Sequence, residues 1–143
     1  MSEYDPLKLD HQLCFPLYVA SREVIRLYTP HLSALDLTYT QYIVMMVLWE
    51  AKSLPIKALC ERLYLDTGTL TPLLKSMEQK GLIIRRRSET DERSVTVTLT
   101  GKGAALHEQA LSVPQKVGSC IPLSQEDAAK LYSLLYQLIG ELQ

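Results

Sequence analysis

The stretch Lys57-Ala58-Leu59-Cys60-Glu61-Arg62-Leu63-Tyr64, Leu65-Asp66-Thr67-Gly68 and Thr69-Leu70-Thr71-Pro72-Leu73-Leu74-Lys75-Ser76-Met77-Glu78-Gln79-Lys80-Gly81 decides the fold. It reads as two short helices, about 57–64 and 69–80, joined by a glycine-containing turn that carries a helix-capping residue. In the second, Leu70, Leu73, Leu74 and Met77 recur at spacings of three and four and turn one face inward. Gly81 ends that helix, since a left-handed residue after the last turn is most easily a glycine. Leu82-Ile83-Ile84-Arg85-Arg86-Arg87 follows, then a charged tip at 88–93, then Ser94-Val95-Thr96-Val97-Thr98-Leu99-Thr100 with an alternation of two. Helix, turn, helix and basic hairpin in that order predict a winged helix-turn-helix.

Working outward, Thr38-Tyr39-Thr40-Gln41 has the form of a capping box, and the nearly continuous apolar run 42–49 after it predicts a buried helix. Leu54-Pro55-Ile56 is a short extended link. Toward the amino end a first helix is expected from Asp10 to about Tyr28; Pro16 means that it either bends or really starts near Cys14. Beyond the hairpin, Thr100 caps a fifth helix broken around Pro114 to Gly118, and Ser124 caps a sixth. In the sixth, Ala128, Leu131, Leu135, Leu138 and Leu142 form a stripe that Leu134 and Ile139 widen until it needs a partner helix. The fold class is α+β, mostly α, in a single domain 1–143.

With 143 residues, 47% of them hydrophobic, the chain is long enough for one core. No apolar run is long enough to span a bilayer and no secretory pattern opens the chain, so a cytoplasmic protein without a membrane partner is expected. Its three cysteines, Cys14, Cys60 and Cys120, lack the spacing of a disulfide framework or a zinc site. His11, His31 and His107 are too scattered for a metal, and no cofactor is expected. The net charge of −1 conceals an asymmetry: Lys52 to Lys102 carries ten basic and six acidic residues, and the remainder five basic and ten acidic. An anionic partner would meet the basic centre.

Thr67, Thr69, Thr71 and Lys75 lie at the amino end and outer side of the second short helix, where hydroxyls and a lysine can meet phosphates and base edges. At the hairpin tip Arg93 is suited to a narrow minor groove, with Asp91 holding its guanidinium. Taken singly, Arg85, Arg86, Arg87 and Arg93 are better explained as a solvated strand edge that discourages aggregation. Joined to the helix pair and the basic centre, they point to double-stranded DNA.

The chain resembles the MarR family, specifically its organic-hydroperoxide-sensing OhrR branch. The resemblance is carried by Leu9-Asp10-His11-Gln12-Leu13-Cys14-Phe15, Leu37-Thr38-Tyr39-Thr40-Gln41-Tyr42, Leu65 through Leu74 and Asp91-Glu92-Arg93-Ser94. It implies a homodimer on a pseudo-palindromic operator, with a reading lobe at about 38–100 and dimerisation helices at about 7–30 and 101–143. It also implies that Cys14 is the peroxide-reactive residue, that Tyr28 and Tyr39 hydrogen-bond it with Tyr18 nearby, and that oxidation releases the DNA. Cys120 resembles the second, resolving cysteine of two-cysteine members.

The reacting species of a thiol sensor is the thiolate, and the apolar neighbours Leu13, Phe15, Leu17 and Val24 favour an organic hydroperoxide over hydrogen peroxide. Sulfenic acid at Cys14 is expected to condense with Cys120 of the other subunit, or with a small cellular thiol. The plain alternative is a small buried apolar cysteine, which is also the reading for Cys60; Trp49 reads as core. Rival functions are a thiol peroxidase, a regulator controlled by a reversibly bound aromatic ligand, and an interaction module that binds no DNA. The absence of a strand-helix-strand or CxxC pattern speaks against an enzyme.

Overall fold

The structure is a computed structural model that describes residues 5–90 and 93–143. Leu9–His11 forms only a single 3-10 turn, and α1 spans Cys14–Ser33. A continuous first helix from Asp10 is therefore corrected, and the start near Cys14 is the one realised. Pro16 is the third residue of α1, where a backbone N–H has no intrahelical acceptor, so the ring removes no hydrogen bond. α2 spans Tyr39–Ala51 behind the expected capping box: the Thr38 hydroxyl accepts from the Gln41 N–H, and the Gln41 side chain accepts from the Thr38 N–H.

β1 (Ser53–Pro55) leads directly into α3 (Ile56–Leu63), which Tyr64 ends at a left-handed φ of 57°. α4 spans Thr67–Gln79, starting two residues before the expected Thr69, with Asp66 as its cap. The turn between the helices thus bends at Tyr64, and Gly68 lies in the first turn of α4 rather than in the link. Gly81 takes a φ of 79° after α4, as its place at the helix end requires.

β2 (Ile83–Arg87) and β3 (Val95–Leu99) form the hairpin, and β1 pairs with the other edge of β3, giving an antiparallel sheet in the order β1-β3-β2. The register sets Arg85 opposite Val97 and Arg87 opposite Val95. Thr100 caps α5 (Gly101–Ala110); α6 follows at Val113–Gly118, so the break expected around Pro114 to Gly118 falls earlier, at Leu111 and Ser112. Pro114 sits in the first turn of α6, where it is tolerated for the same reason as Pro16. α7 (Gln125–Leu142), capped by Ser124, is the sixth helix of the sequence reading.

The core is built where α2, α3 and α4 meet the sheet, around Met45, Leu48, Leu59, Leu74, Met77 and Val97, all fully buried. α7 buries no residue and α1 only Leu32, while Leu13, Tyr18, Leu131 and Leu134 stay exposed. No helix among the described residues is long and apolar enough to cross a membrane.

Candidate nucleic-acid interface and thiol site

The amino end of α4 is held by Asp66, whose carboxylate accepts from the Thr69 N–H at 2.7 Å. The Thr69 hydroxyl first, and then its backbone N–H, hold that carboxyl below its ordinary range. Leu70, Leu74 and Met77 face the core as their spacing requires, Thr67, Thr71 and Lys75 are exposed along one stripe, and Thr69 is exposed on another face of the first turn. The Thr71 hydroxyl donates to the Thr67 carbonyl at 2.8 Å, and the Thr67 hydroxyl lies 3.8 Å from the Cys60 sulfur. Cys60 is half-buried against the core, as expected for a packing residue.

On the wing, Arg86 and Arg87 are exposed, but Arg85 is half-buried and committed elsewhere. Its backbone N–H donates to Glu78 at 2.8 Å and its guanidinium reaches the same carboxylate at 3.2 Å, tying β2 to α4. Those bonds, the backbone one first, hold the Glu78 carboxyl below its ordinary range. Ser88 N–H donates to the Ser94 carbonyl at 2.8 Å and closes the hairpin loop beneath exposed Arg93. Asp91, the expected partner of Arg93, lies outside the described residues. Arg93, Ser94 and Thr67 line a notch with Lys57, a residue that the sequence reading passed over. Its position just after Pro55, in the first turn of α3, is the signal that would have found it.

Cys14 is the first residue of α1 and is exposed; among the described residues its sulfur has no hydrogen-bond partner within the chain. Tyr18 is exposed one turn further on, with the Arg22 guanidinium 5.4 Å from its ring centre. Tyr28 and Tyr39 do come together, ring centres 5.0 Å apart, with Tyr42 at 5.7 Å from Tyr28. Burial first, and then the neighbouring Tyr28, raises the phenols of Tyr39 and Tyr42, so both are neutral O–H donors at ordinary pH. The cluster continues through Trp49, edge-on to Tyr42, to His107; the Trp49 indole donates to the Gly103 carbonyl at 2.9 Å. Cys120 follows α6 and is exposed, its thiol donating to the Lys116 carbonyl at 3.4 Å. Among the described residues no group of histidine, cysteine and carboxylate side chains could hold a metal.

The family description "transcriptional regulator SarA/Rot" matches residues 26–109. The organic hydroperoxide resistance transcriptional regulator of Bacillus subtilis is 49% identical, over 99% of this chain and 96% of its own. The chain belongs to the MarR family, in its OhrR branch. The relatives matched are named as transcriptional regulators. Reduced AbfR bound to DNA, a protein of Staphylococcus epidermidis, is 33% identical and superposes with a TM-score of 0.78 over 94% of each chain. The same protein with its disulfide formed superposes with a TM-score of 0.66 over 92% of each. Overoxidised AbfR bound to DNA superposes with the same TM-score of 0.78, so this MarR-family chain is nearer in shape to the DNA-bound forms of AbfR, reduced or overoxidised, than to its disulfide form.

Proposed function

We propose that this chain is a homodimeric, DNA-binding repressor that senses organic hydroperoxides through Cys14 and releases its operator on oxidation. The observation that carries the reading is an exposed cysteine at the first residue of α1 together with the paired rings of Tyr28 and Tyr39, the latter a neutral O–H donor. Cys14 and Tyr28 are fourteen residues apart on α1, about 21 Å at 1.5 Å per residue. The tyrosines that bond the sulfur thus belong to the second protomer, and the sensor is assembled only in the dimer. The uncovered apolar faces of α1 and α7 supply the surface for that dimer, with 38–100 as the reading lobe and 7–30 and 101–143 as the dimerisation helices.

The first-turn N–H groups of α1 have no intrahelical acceptor and favour an anion at its amino end. The Cys14 thiolate attacks the terminal oxygen of the hydroperoxide; the O–O bond breaks, and the alcohol leaves with a proton. The sulfenic acid then condenses with the Cys120 thiol, forming S–S and releasing water, or with a small thiol in its place. Rearrangement of the helices that carry the two sulfurs moves the α4 reading heads out of register. The lower likeness to the disulfide form of AbfR supports a change of that kind. Thr67, Thr69, Thr71 and Lys75 would meet the major groove and Arg93 the minor groove, with Arg86 and Arg87 on phosphates; Arg85 serves to fix the wing.

A second reading, release by a reversibly bound aromatic ligand, is favoured by a cavity of about 300 Å³ lined by Tyr42, Met46, Trp49 and His107. Operator binding by the reduced protein, with and without cumene hydroperoxide, separates the two when wild type is compared with Cys14→Ser. Release of wild type alone is the expected outcome, and a covalent dimer lost in Cys120→Ser would identify the resolving thiol. Equal behaviour of both proteins would overturn the thiol switch.

A further inference from the structure

Gln41 is the one buried side chain among the described polar and charged residues, 5% exposed. A glutamine at the third position of a helix needs only its oxygen, on the N-cap N–H, to complete a capping box, and it can do so in water. Here the amide does more. The Thr38 N–H at 3.2 Å and the Lys80 ammonium at 3.0 Å both donate to one terminal atom, which identifies that atom as the oxygen. The amide nitrogen is thereby aimed at the Ser76 hydroxyl, to which it donates at 3.3 Å. Lys80 also donates to the Asp36 carbonyl at 2.5 Å, in the link between α1 and α2. One amide thus joins the start of α2 to the second half of the recognition helix α4 and, through Lys80, to the link between α1 and α2.

The same turn of α2 carries the tyrosines: Tyr39 lies two residues before Gln41 and Tyr42 next to it, both against Tyr28. Apolar neighbours such as Met45 and Leu74 can slide past one another with little penalty, whereas a hydrogen bond is lost with small changes of distance and angle. The Gln41 amide itself is nearly sealed from solvent, although Ser76 and Lys80 are only half-buried, so a shift of the first turn of α2 must either carry Ser76 and Lys80 along or leave the buried amide short of partners.

We propose that Gln41 is a positioning residue that transmits the state of the tyrosine cluster to α4, with Ser76 and Lys80 as its receiving groups. The inference rests on the peroxide-sensing reading and extends it by naming the path from sensor to reading head. It is tested with the reduced full-length protein and the duplex that it selects most tightly from a random pool. The ratio of operator Kd with and without cumene hydroperoxide is measured for wild type and Gln41→Met, with Ser76→Ala in reserve should the first variant fail to fold. A merely structural role would lower Tm and leave the ratio as in wild type, which overturns the proposal. Coupling through Gln41 brings a wild-type ratio of about tenfold or more close to one.

A second measurement needs no peroxide: a double-mutant cycle of Tyr39→Leu and Lys80→Met on the operator affinity of reduced protein. Non-additivity of more than about threefold that disappears in the Gln41→Met background supports the path, and additivity in the wild-type background overturns it. If wild type is not released by peroxide, the sensing reading fails and the cycle alone decides whether Gln41 couples the two sites.

Discussion

At the scale of single residues, the side chains with the clearest chemistry are those that a second element has claimed. Arg85 looks in the sequence like one of three equivalent wing arginines, but the α4 carboxylate of Glu78 takes both its backbone N–H and its guanidinium. Because the folded state lowers the Glu78 carboxyl below its ordinary value of 4.5, its contribution to stability is present above that value and is lost as pH falls through the folded one. Thermal melts should therefore show Glu78→Gln melting below wild type at pH 7, with the difference closing as pH falls below the ordinary carboxylate range. A difference that persists in acid would mean that the wing is held by something other than the carboxylate. The proposed reading role of Arg86 and Arg93 is separate, and neither is touched by that variant.

Among the elements, α5 approaches the start of β2 closely at Gly103. A Cβ on Gly103 would stand 2.3 Å from the Leu82 carbonyl oxygen and 2.7 Å from a Leu99 methyl. The first of these is backbone, so the neighbour cannot rotate away. Gly103→Ala is expected to destabilise the protein by about 3 kcal/mol, at the upper end of overpacking, as read by urea unfolding. Gly101→Ala, which meets nothing within 4 Å, is the control and should lie within about 0.5 kcal/mol of wild type. The sequence offers no means of telling these two glycines apart, since both lie in the first turn of one helix.

For the whole molecule, the missing part of the core is the informative one. α7 buries none of its residues, and Leu131, Leu134 and Leu138 remain exposed beside Tyr132 and Tyr136, whose ring centres are 4.8 Å apart. An apolar face of that extent is unusual on a monomer and suits a second copy. Replacing Leu134 and Leu138 together by glutamate should convert a dimer to a monomer in sedimentation velocity and abolish operator binding with it. A monomer that still bound the full operator tightly would contradict a dimeric reader.

By itself the sequence determined what depends on neighbours along the chain: the period of α4, the alternation of β3, the capping boxes and caps at Thr38, Thr100 and Ser124, and the stop at Gly81. It also carried the family likeness, because the motifs around Cys14, Tyr39 and Thr67 are local strings. Tertiary structure decided what depends on contacts between distant segments. It chose, of the two starts that the sequence left open for α1, the one at Cys14, where Pro16 falls among N–H groups that no helix bond needs. It withdrew Arg85 to Glu78, brought Tyr28 onto Tyr39 and Tyr42, and aimed the Gln41 amide at Ser76 and Lys80, 35 and 39 positions away. Local propensity acts over one or two turns of chain, and the packing that joins such remote groups forms only once the helices have met the sheet.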